Sequence, residues 1–193
     1  MHKTIRVIID EHAALSAMLR SVLLLLVQHR RADSMPDFGA LRAMLFYLDE
    51  FPEQQHHRKE SEILFPKLRA RTPLARELLD RLDYEHARGG RKIRDVEHAL
   101  LGFEMMGATR RRAFELAMED YVDFYLAHMH LEEHEILPLA QRVLTEDDWA
   151  EVDEAFGKNR DPLVGHAPAE DYGALFMRIV NLVPAPIGLG PAK

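Results

Sequence analysis

The sequence contains no cysteine. That absence excludes disulfides, thiolate metal sites, iron–sulfur clusters held by cysteine and thiol catalysis, and it fits a reducing compartment. Positive charge is also scarce. The 25 lysines and arginines are outnumbered by 32 acids, for a formal net charge of −7 over 193 residues, so nucleic-acid binding has no electrostatic support. The densest basic cluster, Arg110-Arg111-Arg112, reads as a solvated helix start. The apolar run Val22 to Val27 is too short to span a bilayer. Asp10, Glu11 and His12 stand where a signal peptide needs an apolar stretch. The expectation is a cytoplasmic protein with no membrane segment.

Strand alternation and hairpin turn pairs are missing as well. Apolar residues recur instead at three- and four-residue spacing, which predicts helix nearly throughout. A first helix is expected over Thr4 to Arg30, and Asp37 is placed to cap a second over Phe38 to Ala70. Pro52 should kink that helix and Pro66 should loosen its last turn. Thr72-Pro73 reads as the opening of a third helix that runs to Leu101, with Gly89-Gly90 a weak point. A loop over Gly102 to Thr109 then leads to a fourth helix over Arg110 to Val143. The fold class is therefore all-α: an up-down-up-down four-helix bundle over residues 1–144. Residues 145–193 form a C-terminal extension packed on it, with two short helices and an irregular tail. Its first helix starts at Thr145-Glu146-Asp147-Asp148, where the cap is followed by acids that suit the helix dipole. The second is expected over Glu170 to Leu182, before the irregular Val183 to Gly190.

What the sequence does have is histidine, 11 in all, and several are arranged. His56-His57-Arg58-Lys59-Glu60 leads to Ile63-Leu64-Phe65-Pro66, and His128-Met129-His130-Leu131-Glu132 leads to Ile136-Leu137-Pro138. Aligned on the prolines, His56 falls on His128 and Glu60 on Glu132. Glu11-His12-Ala13 falls on Glu85-His86-Ala87. The chain is two copies of one pattern, a Glu-His-Ala helix followed by a His-x-x-x-Glu helix, which implies a pseudo-two-fold bundle.

Residues four apart lie on one helical face, so His56 and Glu60 can reach one ion, as can His128 and Glu132. Counted from the connecting loop, His12 and His56 both lie about 27 Å along antiparallel helices at about 1.5 Å per residue. Four imidazoles and two carboxylates thus meet at one height in the core, where unpaired carboxylates would be heavily penalised. A nitrogen-and-carboxylate set without sulfur suits iron and can also take manganese or zinc. Carboxylates can bridge, so His12, His56, Glu60, His86, His128 and Glu132 suffice for two metal ions. By helical spacing His57, His130 and His134 point off this face. His57, Glu62 and Glu133 are candidates to support the ligands from behind. Tyr121 and Tyr125 share the stripe of His128, as core packing or as hydrogen-bond donors into the site.

The set of motifs resembles the hemerythrin-like HHE cation-binding domain of bacterial proteins, over roughly residues 3 to 144. The resemblance implies a cofactor of two iron ions and a small ligand: dioxygen, peroxide or nitric oxide. It departs from the oxygen carriers at Gly90, where their third helix has a second histidine four residues on. A fifth histidine is thus expected to be missing, leaving open positions that favour peroxidase- or oxidase-type reaction over carriage. The carriers' spacing would select Glu133 on the last helix; the internal repeat selects Glu132. Alternatives are an iron sensor or reservoir without turnover, and an interaction module with a structural metal. Homodimerisation through the C-terminal extension is a further expectation.

Overall fold

Three prolines fall inside helical stretches, and each meets the same local solution. In the computed structural model, which describes residues 2–158 and Ile179, the backbone widens into π-helical turns at Asp49–His56, Glu60–Leu64 and Glu132–Ile136. Proline lacks an N–H and its ring collides with the carbonyl four residues back. A wide turn, bonded five residues apart, accommodates it without ending the helix. Pro52 lies inside the first wide turn, while Pro66 and Pro138 follow the other two after one intervening residue, Phe65 or Leu137. The kink expected at Pro52 thus falls within a widened turn. The last two wide turns occupy equivalent places in the internal repeat.

Among the described residues every element is helical: α1 (Lys3–Arg31), α2 (Phe38–Leu48), α3 (His57–Lys59), α4 (Phe65–Arg71), α5 (Arg76–Met106), α6 (Ala108–Leu131), α7 (Leu137–Val143) and α8 (Glu146–Phe156). No helix among them is long and apolar enough to cross a membrane. Asp37 caps α2 by accepting from the Ala40 N–H, an interaction worth about 1 kcal/mol. Thr145 and Asp148 form a reciprocal capping box on α8.

Two boundaries differ from expectation. Thr72 ends α4, and its hydroxyl accepts from the Leu74 N–H, so α5 begins at Arg76 and not at the Thr-Pro pair. The expected loop over 102–109 shrinks to Gly107, whose φ of 72° joins α5 to α6. Gly89-Gly90 does not interrupt α5. The last expected helix and the irregular tail lie outside the described residues, apart from Ile179, which is buried.

The apolar core has two parts. One gathers Leu15 to Leu26 of α1, Leu41 to Phe51, Ile93 to Phe103 and Phe114 to Met129. The other gathers Ile5 and Ile8, Leu64 to Leu68, Leu79 and Leu82, and Ile136 to Leu144, with Trp149, Val152 and Phe156 of α8. Each long helical run passes from one core to the other. The histidines and glutamates of the repeat occupy the crossing points.

Candidate metal centre

Between the two cores the structure brings His12, His56, Glu60, His86, His128 and Glu132 together. The Nε2 atoms of His12 and His56 are 3.2 Å apart, and those of His86 and His128 are 3.1 Å apart. The two carboxylates lie between these pairs. Glu60 turns Oε1 to His56 at 3.3 Å and Oε2 to His86 at 3.6 Å. Glu132 turns Oε2 to His12 at 3.4 Å and Oε1 to His128 at 3.4 Å and His86 at 3.6 Å. Each carboxylate therefore spans both halves, one oxygen to each.

The donor set fits a pair of metal ions. Glu60 Oε2 and both oxygens of Glu132 are buried without a hydrogen-bond donor, an arrangement that costs free energy unless a cation compensates it. Two nitrogens bound to one ion at about 2.1 Å lie roughly 3 Å apart when at right angles, which matches both imidazole pairs. Two overlapping groups have ligand atoms all within 4.8 Å of one another: His12, His56, Glu60 and Glu132, and His57, Glu60, His86 and His128.

His57 corrects the expectation from helical spacing. It is buried and belongs to the second of those groups, instead of pointing off the ligand face. It directly follows a π-helical turn, in which more residues share each turn and successive side chains diverge less. His56 and His57 can then both face inward. The ring of His57 stacks on that of His86 at 4.4 Å. Its Nδ1 lies 3.5 Å from Glu53 Oε2. A Cβ at Gly90 would meet only Arg94, at 3.8 Å.

The outward ring nitrogens are held by a second set of groups. His56 Nδ1 lies 2.6 Å from Glu11, and His128 Nδ1 lies 2.9 Å from Glu85. His12 Nδ1 lies 3.0 Å from Glu133, and His86 Nδ1 lies 2.8 Å from Ser61 Oγ, which itself donates to Asp83 at 2.6 Å. Such partners orient a ligand ring and raise its basicity. Glu133 thus stands behind His12, while Glu132 stands among the inward atoms. Sequence reasoning missed Glu11, Glu85 and Ser61 as supports. The repeat carried a signal for the first two, since both directly precede a repeat histidine.

Other expectations resolve differently. Glu62 is on the outer face, paired with Arg58 at 2.9 Å, because its helical position turns it to solvent. His130 and His134 are exposed. Tyr121 and Tyr125 are buried, but their hydroxyls donate to Glu53 and not into the space among the ligands. Glu53 was not anticipated, since its partners lie 68 and 72 residues away.

The electrostatics follow from burial and pairing. Burial opposes charge on His56, but Glu60 and Glu11 outweigh it and hold this imidazole well above its usual range. Burial likewise opposes charge on His128, and Glu132 and Glu85 carry it to about 10. Glu132 is buried too, yet His128 and His12 hold it well below the usual carboxylate range. Burial and the neighbouring His86 and His128 push His57 well below the usual imidazole range, so it keeps a free lone pair. Burial raises Glu53 to about 8. Without metal the centre thus balances its carboxylates with protons on imidazoles, and a metal ion would displace those protons. A surface groove of about 530 Å³ lined by Ile9, Ser16, Arg20 and Glu133 reaches His12.

No curated protein and no solved structure matches the chain. A family model does: that of the hemerythrin HHE cation binding domain matches residues 3–140. With the repeat, the helical fold and the converging histidines and glutamates, this match establishes that the chain belongs to the hemerythrin HHE cation-binding domain family.

Proposed function

We propose that the chain holds two iron ions and reacts with a small oxidant, dioxygen or peroxide, without carrying it reversibly. The observation that carries this reading is the pair of carboxylates that each turn one oxygen to either half of the centre. His12 and His56 would serve one ion and His86, His128 and His57 the other, with Glu60 and Glu132 bridging. His57 from the second helical run thereby supplies the fifth imidazole that the third helix lacks. Iron suits this set better than zinc, which favours four ligands in a tetrahedron.

Five imidazole nitrogens and four carboxylate oxygens fill nine of roughly twelve positions on two six-coordinate ions. The remainder is room for water and for an oxidant, which the groove beside His12 could admit. The passage of successive helical runs between the two cores, in alternating order, supports an up-down-up-down bundle. The packing of α8 on Ile5 and Ile8 supports a C-terminal extension attached to that bundle.

The test is optical. Protein loaded anaerobically with ferrous iron should oxidise on mixing with oxygen or peroxide, and evacuation should leave it oxidised. A spectrum that returns to the ferrous form on each evacuation would make the protein a carrier. Bound iron that stays ferrous would favour a reservoir or a structural site.

A further inference from the structure

Beside His57 is a cluster of one carboxylate and two phenols, Glu53, Tyr125 and Tyr121. The side chain of Glu53 is 5 % exposed and accepts hydrogen bonds from both Tyr125 and Tyr121. Both tyrosines are 1 % exposed. The Tyr125 ring lies parallel to His57, at 5.5 Å between centroids and 6° between planes. His57 is in turn parallel to His86 within 15°. Tyr121 follows at 4.8 Å from Tyr125. The rings form a continuous column, Tyr121–Tyr125–His57–His86, that ends among the ligand atoms.

Backbone packing makes room for this cluster. A Cβ at Gly89 would meet the Glu53 carboxylate at 2.7 and 2.8 Å and the Tyr125 hydroxyl closer still. Glycine is what lets both groups press against α5. A buried carboxylate with two phenols, set against a ligand histidine, is an expensive way to fill a core.

From this geometry we infer that Tyr125 is a one-electron donor to the centre, that the Glu53 carboxyl relays its proton, and that Tyr121 refills it. The inference rests on the metal reading above and names peroxide as the oxidant. Oxidation of a phenol near neutral pH requires that its proton leave with its electron, and Glu53 gives the proton a path, onto Oε1 from Tyr125 and off Oε2 toward His57 Nδ1 at 3.5 Å. For each hydrogen peroxide the O–O bond breaks and the O–H bonds of Tyr125 and Tyr121 break. Two electrons travel along the ring column, and two protons pass through Glu53 in turn. The products are two water molecules and two phenoxyl radicals, with atoms and electrons balanced.

The experiment uses the full chain loaded with ferrous iron and oxidised in air to the ferric form, then mixed with hydrogen peroxide, frozen within the reaction and examined by electron paramagnetic resonance. Metal content is measured on the same samples. A phenoxyl signal that narrows when the protein carries ring-deuterated tyrosine is the expected result. Tyr125→Phe should lose the signal at unchanged iron content. Glu53→Gln should keep the iron and reduce the signal. Iron-replete wild type without a tyrosyl signal, or a signal that survives Tyr125→Phe, overturns the donor assignment while leaving the metal reading intact. Wild type that binds no iron overturns both.

Discussion

Glu11 and Glu85 occupy equivalent places in the repeat and hold equivalent histidines, His56 and His128. The next equivalent positions part company. Glu133 holds His12 on one side, whereas on the other its counterpart Ser61 holds His86 and leans on Asp83. His57 corresponds in the repeat to Met129, and Glu53 to Tyr125. Gly89 corresponds to Leu15, which packs in the apolar core. The repeat therefore keeps the inward histidines and glutamates and lets the surroundings diverge. On the His12 side a carboxylate meets each outward ring nitrogen directly, whereas on the other side Ser61 stands between His86 and Asp83. The His86 side is richer in imidazole and is backed by the tyrosine–glutamate cluster. A duplicated frame does not make two identical surroundings.

The largest expected effect removes what the two sides share. Glu132→Ala should lower the metal content of both sides, because its oxygens reach His12 and both His86 and His128. In wild type, metal at a thousandfold excess over Kd should stabilise the fold by about 4 kcal/mol. In the variant most of that gain, read from the melting temperature with and without metal, should vanish. An equal shift in both proteins would mean that Glu132 is not a shared ligand.

A smaller and more selective effect comes from making the sides alike. His57→Met copies the Met129 side at similar volume, so the fold should persist. Metal content should fall from two ions to one, with the His12 side retained. Gly90→His should leave metal content unchanged, because His57 already gives the His86 side its further imidazole, and a Cβ at Gly90 meets only Arg94, at 3.8 Å. Elemental analysis of both variants sharpens the comparison. Loss of both ions in His57→Met, or an added ligand in Gly90→His, would break it.

Much of this was legible in the sequence. The helical class, the caps at Asp37 and Thr145 and the internal repeat rest on local signals: spacing three and four apart, short polar cap residues and matched prolines. The six inward residues were reachable because level in a bundle follows from counting along helices. His57 was not reachable that way. Counting assumes one turn geometry, and the wide turn at Asp49–His56 changes it just before His57. Glu53 and Ser61 were hidden for another reason. Their partners are distant in sequence, and an isolated glutamate or serine on a helix has no pattern that points to them.

The smallest effects should come from the groups behind the ligands. Glu11→Gln and Glu85→Gln should each weaken metal binding by a similar factor, within roughly the 10–100-fold range typical of such supports. Glu133→Gln should cost more than Ser61→Ala, because the first removes a charge and the second removes a neutral bridge. Competition with a metal-binding dye gives all four values. Equal costs for Glu133→Gln and Ser61→Ala would erase the difference between the sides.

The central claim is a two-ion centre, and an anaerobic ferrous titration of the wild-type chain, with elemental analysis at the endpoint, tests it most directly. The account predicts saturation at two iron ions per chain, the first and second bound with distinguishable affinities. Saturation at one ion, or no tight binding, would contradict it.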